Sequence, residues 1–188
     1  MLLMIAVVGF IFMNMFKNPN KSKYGDELDG YLSKSRFGFN WNDFKFAALV
    51  TAPAILLHEI GHKVTALSFG LSATFHAAYF WLLIAVVLKL INFPILVFVP
   101  AYVSIFGNAN VLQSTLVSFA GPGVNLLLFI IAYLVLKFHK KLNPTATHFW
   151  ILTKNINLFL LIFNILPIPG FDGYKVFDGL GHLIGLLH

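Results

Sequence analysis

The chain contains no cysteine and few acidic residues. Seven of its 188 residues are Asp or Glu, and charged residues of both signs make up 11%, whereas soluble domains have about 25%. Without cysteine, neither a disulfide nor a thiolate metal site can form. A chain with so little charge cannot cover a water-exposed surface, which argues against a soluble enzyme or a nucleic-acid-binding module.

Apolar residues are abundant instead and make up 59% of the sequence. The net charge of +6 does not indicate nucleic acid, because the basic residues lie mainly between apolar runs, where membrane proteins carry them. The length suits one membrane domain of several short spans. We therefore predict an integral, multi-pass protein of the cell membrane that contacts the lipid bilayer and binds no nucleic acid.

The distribution of polar residues divides the chain into four parts. We predict a first transmembrane helix at 1–16, an extramembrane loop at 17–43, a membrane core at 44–173, and an interfacial tail or truncated further helix at 174–188. Within the core, four apolar runs predict membrane segments, at 44–69, 77–107, 116–136 and 149–166.

Residues 58–62 have the sequence His-Glu-Ile-Gly-His within the apolar run that begins at residue 44. Positions four apart lie on one face of a helix, so both imidazoles can reach one metal ion. Glu59 is placed to take a proton from an activated water. Ionisable groups within an apolar span cost about 2.5–3.5 kcal/mol each, which favours a functional site over two packed core histidines.

A catalytic zinc site needs a third protein ligand and an open position. No Glu follows Glu59, and Thr65 and Ser68 occupy the positions where a longer histidine motif would continue. Asp172 has the best context, because two prolines before it break the last helix and can aim its carboxylate inward. The other candidates are Asp178, His76, His139, His148, His182 and His188.

Three motifs together resemble the site-2 protease family of intramembrane zinc metalloproteases. They are His-Glu-Ile-Gly-His at 58–62, Phe-Ala-Gly-Pro-Gly-Val-Asn at 119–125, and Asn-Ile-Leu-Pro-Ile-Pro-Gly-Phe-Asp-Gly at 164–173. They occur in the order typical of that family. One departure is that Phe171 and Tyr174 flank Asp172-Gly173, where the family usually has Pro-Leu-Asp-Gly-Gly.

The resemblance implies one zinc ion per chain, held by His58, His62 and Asp172, with Glu59 as general base. It also implies that Asn125 and Asn164 line the site. An inward-pointing Asn125 could donate a hydrogen bond to substrate or to a developing oxyanion. The alternative for Asn125 is a helix–helix hydrogen bond beside the Gly-Pro pair.

The predicted activity is hydrolysis of a peptide bond within or near a transmembrane segment of a membrane-protein substrate. A membrane metal-binding or transport protein that uses the His/Asp cluster is one alternative, although it needs no Glu between the histidines. An inactive pseudo-protease is another, although the complete ligand set argues against it. The residue types at 101–105 also suit a strand edge that pairs with an extended substrate, and ordinary apolar packing is the alternative for them.

The positions of the ligands constrain the topology. His58 lies roughly 20 Å along its helix from Lys45, and Asp172 follows the last span, so the two spans should run parallel. An odd number of crossings then separates the two spans, so 77–107 crosses the membrane twice or not at all. We prefer the double crossing, with a strand-like element around 95–106, which gives an all-α polytopic fold of about six transmembrane segments. Both basic loops then lie on the membrane face opposite the zinc. The positive-inside rule assigns the face with the basic loops to the cytoplasm. The family resemblance places the zinc nearer the cytoplasmic face, so the orientation stays open.

Overall fold

The computed structural model describes residues 2–16, 39–91, 101–139 and 141–185. Most of the predicted 17–43 loop lies outside these ranges. The described residues form helices and one small sheet, in the order α1 (Leu2–Phe12), α2 (Trp41–Ser68), β1 (Ser72–Ala77), α3 (Tyr79–Leu90), β2 (Ala101–Phe106), α4 (Val111–Phe138), α5 (Pro144–Asn164) and α6 (Asp172–Leu183).

Asparagine side chains fix where the long helices begin. Asn40 accepts hydrogen bonds from two backbone N–H groups at the start of α2. Asn110 and Gln113 form a capping box at the start of α4. Asn143 caps α5, whose first residue is Pro144. Because these caps are polar, α4 and α5 each begin five residues before the apolar runs that predicted them.

Three of the described helices, α2, α4 and α5, are long and apolar enough to cross a membrane, with 28, 28 and 21 residues. The architecture is that of a helical protein compatible with a membrane. Helices α1 and α3 have 11 and 12 residues, which gives lengths of about 16–18 Å against a hydrocarbon core of about 30 Å. The described residues therefore do not support six spans.

Within 77–107, the segment predicted to cross twice, the described residues form the 12-residue helix α3 and strand β2. Strand β2 agrees with the strand predicted around 95–106, and residues 92–100 lie outside the described ranges. Its antiparallel partner β1 was not predicted; the register pairs Ser72 with Phe106 and Ala77 with Ala101. Residues 77 and 101 therefore lie side by side in the sheet.

The sheet packs at the C-terminal end of α2. Its buried residue Ala73 joins Ala66, Leu71 and Val117 in a small apolar cluster, with Val103 packed against it. The sheet therefore contacts both α2 and the N-terminal third of α4.

Helices α2, α4 and α5 form the layer that carries the site. From Ala54 to His62 on α2, the contacts on α4 move back from Asn125 to Val117, so the two helices are antiparallel. Early in both helices, His148 of α5 stacks on Phe46 of α2, and further along, Asn157 of α5 meets Asn125 where Asn125 contacts Ala54 of α2. Helix α5 therefore runs parallel to α2, as predicted.

Candidate metal centre

Two histidines and one aspartate converge between α2 and the start of α6. The Nε2 atoms of His58 and His62 lie 3.1 Å apart, and Oδ2 of Asp172 lies 3.2 Å from each of them. Both imidazoles are buried, whereas 24% of the Asp172 side chain is exposed. The site is thus closed on the α2 side and accessible on the Asp172 side.

On α4, the absence of a side chain at Gly121 leaves room for the two imidazole rings. A Cβ atom built on Gly121 would overlap Nε2 of both His58 and His62. By contrast, a Cβ on Gly123 would meet only the ring of Phe119, at an ordinary distance of 3.4 Å. Gly121 is therefore required for the close approach of α4 to the two histidines.

A turn after α5 brings Asp172 to the histidines. Helix α5 ends at Asn164, and the chain passes through two prolines and Gly170, whose φ of 99° is in the left-handed region. Asp172 is the first residue of α6. A Cβ on Gly173 would overlap the backbone carbonyls of residues 165 and 166, so the turn folds back tightly on the end of α5.

The Nδ1 atoms of both histidines face oxygen acceptors. Nδ1 of His58 lies 2.6 Å from Oδ1 of Asn125, and Nδ1 of His62 lies 2.7 Å from the backbone carbonyl of Val117. A neutral imidazole that donates from Nδ1 keeps a lone pair on Nε2. This is how partners outside the ligand set commonly fix the tautomer of a metal-binding histidine.

The donor set fits a metal ion. When Nδ1 of each histidine carries the proton and donates to its oxygen partner, both Nε2 atoms present lone pairs toward the carboxylate oxygen of Asp172. These three electron-pair donors repel one another unless a cation lies among them. Their separations of 3.1–3.2 Å are close to the roughly 3.3 Å between ligand atoms of a tetrahedral zinc at about 2.0–2.1 Å.

A protein of Methanocaldococcus jannaschii named "Putative zinc metalloprotease MJ0611" is 31% identical to the chain over 136 residues, which cover 71% of the chain and 69% of that protein. The chain belongs to this zinc metalloprotease family. No family model and no solved structure matches it. The His58–His62–Asp172 cluster is the ligand set that the family resemblance implied from the sequence. Together with membership of this zinc metalloprotease family, the cluster indicates a metalloprotease with a metal site most consistent with zinc.

Glu59, the predicted base of this metalloprotease, lies beside the first histidine. It is 8% exposed and follows His58 on α2. In the described ranges, no hydrogen bond or ion pair engages its carboxylate. The carboxylate is therefore available to a water or substrate group, and its role as base stays a prediction.

The two asparagines predicted to line the metalloprotease site differ in placement. Asn125 is fully buried, and its amide nitrogen donates to the backbone carbonyl of Ala54 and to Asn157. Its donors are thus used within the protein, and its oxygen supports His58, so it does not present a donor to substrate as the oxyanion prediction required. Asn164 is half-buried at the last position of α5, and its predicted role is untested.

The alternative third ligands lie outside the cluster. Asp178, His182, His76 and His139 are exposed, and His148 stacks on Phe46 at the opposite end of α2; His188 is outside the described residues. Sequence reasoning did not single out Gly121, Val117 or Asn157. The available signals were the Gly-Pro-Gly motif for Gly121 and, for Asn157, a polar residue within an apolar span.

Proposed function

We propose that the protein is an intramembrane zinc metalloprotease of the site-2 protease type. It cleaves a peptide bond within or near a transmembrane segment of a membrane-protein substrate. The observation that carries this proposal is the convergence of two Nε2 atoms from α2, a helix long enough to span a membrane, with a carboxylate oxygen from the start of α6, all 3.1–3.2 Å apart.

The depth of the cluster supports cleavage inside the membrane. His58 lies about 26 Å along α2 from Trp41 and about 15 Å from Ser68. The cluster therefore lies away from both ends of a helix long enough to cross the membrane. The 24% exposure of the Asp172 side chain gives water and substrate one side from which to approach.

Glu59 is the proposed general base. A bound zinc ion would polarise the scissile carbonyl and lower the pKa of a water molecule. Glu59 then accepts a proton from that water and later delivers it to the leaving amine. His58 and His62 hold the metal through Nε2, and Asp172 completes the set from the exposed side.

The edge of the small sheet is the proposed docking position for the substrate backbone. A transmembrane helix shields its own carbonyls, so the cleaved segment has to become extended, and strand addition supplies hydrogen-bond partners for it. Tyr102 and Phe106 on β2 are 50% and 59% exposed. The sheet also packs on Val117, whose carbonyl faces His62, so a strand paired there lies beside the metal ligands.

The test combines metal analysis with cleavage of a panel of single-span membrane proteins by the purified full chain. We expect about one zinc per chain. Glu59→Gln should keep zinc and lose at least about a hundredfold in rate, the scale of a general base. Wild-type turnover in Glu59→Gln would exclude Glu59 as the base. A zinc-loaded wild type that cleaves no panel member, but transports metal, would favour the transport alternative.

A further inference from the structure

Asn157 is the only residue of α5 that is buried, with 1% of its surface exposed. Its amide nitrogen donates to the backbone carbonyl of Thr153 at 2.8 Å, and its Oδ1 accepts from Nδ2 of Asn125 at 2.9 Å. Burying a polar residue inside a membrane span costs free energy, and such residues are usually found where they have a function. An apolar residue would pack here without needing partners, so the amide calls for an explanation.

The contacts of Asn125 define what that purpose is. Its Nδ2 faces two acceptors, Oδ1 of Asn157 at 2.9 Å and the carbonyl of Ala54 at 3.2 Å. Its Oδ1 faces Nδ1 of His58 at 2.6 Å. Acceptors on one end of an amide fix which end carries the NH₂ group. Asn157 thus helps to keep the oxygen of Asn125 directed at His58.

Reversal of the Asn125 amide would change the protonation of His58. Nδ1 would then face an NH₂ donor and would have to accept, so the imidazole proton would move to Nε2. Nε2 is the atom that converges with His62 and Asp172, and a protonated Nε2 has no lone pair for a metal. The same change of tautomer cannot be imposed on His62, because the partner of its Nδ1 is the Val117 carbonyl, which can only accept a hydrogen bond.

We propose that Asn157 is a positioning residue for the metal centre. Acting through Asn125, it holds His58 in the tautomer that leaves Nε2 free. The hydrogen bonds from Asn157 to Asn125 and from Asn125 to His58 thus connect α5 to a metal ligand on α2. The inference depends on the proposed zinc site but not on proteolysis.

The decisive measurement is the zinc affinity of the purified full chain, by competition with a chelator. Asn157→Leu removes the acceptor, and we expect affinity to fall about 10–100-fold, the usual effect of losing such a partner. Asn157→Asp, which burial keeps in the neutral acid form, retains an acceptor oxygen for Asn125 and an O–H donor for the Thr153 carbonyl, and it should bind zinc within about threefold of wild type. Thr153→Val is the matched control: it removes a buried hydroxyl one turn away but keeps the backbone carbonyl, and it should match wild type.

Repeating the Asn157 substitution in an Asn125→Asp variant distinguishes an effect on the orientation of the Asn125 amide from a general loss of packing. Asn125→Asp carries an oxygen at both ends and cannot present an NH₂ group to His58. In that background we expect Asn157→Leu to cost little zinc affinity, and the Co²⁺-substituted double variant should keep the visible absorption spectrum of Asn125→Asp alone. Asn157→Ala replaces Asn157→Leu if the larger side chain prevents folding, as judged by thermal unfolding without metal.

Three results would overturn the inference. They are wild-type zinc affinity in Asn157→Leu, an equal loss in Asn157→Asp and Asn157→Leu, or an undiminished cost of Asn157→Leu in the Asn125→Asp background. Failure of the proposed function has a different signature, because the wild type itself would then bind no zinc or would bind it without cleaving substrate.

Discussion

The two halves of the metal centre are built in different ways. His58 and His62 project from one turn of a 28-residue helix and are held against α4. Asp172 comes from a turn that contains two prolines and a left-handed glycine, and its side chain is partly exposed. The helical half is positioned by regular geometry and close packing. The turn half depends on a local backbone path, which leaves it more accessible and more easily displaced.

The largest expected effect is on the helical half. His58→Ala or His62→Ala removes one of three ligands from a buried site, so we expect no stoichiometric zinc in either variant. Metal content of the purified protein measures this directly. Full zinc occupancy in both variants would contradict the assignment of the centre.

The packing of that half can be tested without changing a ligand. Gly121→Ala places a methyl group where the two Nε2 atoms lie, so we expect nearly complete loss of zinc. Gly123→Ala, two residues along the same helix, meets only the Phe119 ring at 3.4 Å and should bind normally. Equal zinc affinity in the two variants would mean that α4 does not confine the histidines.

The turn half should respond differently to loss of its ligand. Asp172→Asn keeps the shape of the side chain but removes its charge, so we expect weaker zinc binding and no detectable proteolysis. Asp178→Asn, at an exposed position of the same helix, should leave both within a few-fold of wild type. Matched expression and thermal unfolding control for misfolding. The reverse pattern would identify Asp178 as the third ligand.

The smallest effect is expected from the turn backbone itself. Gly170→Ala meets no atom within 4 Å, but its φ of 99° is unfavourable for alanine, with a cost of about 1–2 kcal/mol. We expect a melting temperature about 2–8 °C lower and a modest loss of zinc affinity. Gly70→Ala, with a φ of 74° in the turn after α2 and equally open space, should lower the melting temperature similarly without affecting zinc. Identical zinc affinities would show that the turn does not control the position of Asp172.

The same contrast explains what the sequence could predict. The histidine pair follows from a spacing of four on a helix, and long apolar runs located α2, α4 and α5. Asp172 was favoured by its position after two helix-breaking prolines, but only the resemblance to a family implied it as the third ligand, because a proline-rich turn has no periodicity that predicts where its side chains point. Strand β1 and the roles of Gly121 and Asn157 were missed since each depends on a partner distant in the chain. The described residues do not support the six-span prediction, because apolar character at 1–16 and 77–107 does not show that the helices there have only 11 and 12 residues.

The contact between His62 and the carbonyl of Val117 has a consequence for mutational tolerance. A backbone acceptor is present whatever side chain occupies position 117, so substitutions there leave the hydrogen bond available as long as α4 keeps its path. The support of His58 has no such protection, because it passes through the side chains of Asn125 and Asn157. Single substitutions that weaken metal binding without replacing a ligand should therefore occur mostly among the residues that support His58, and rarely among those that support His62.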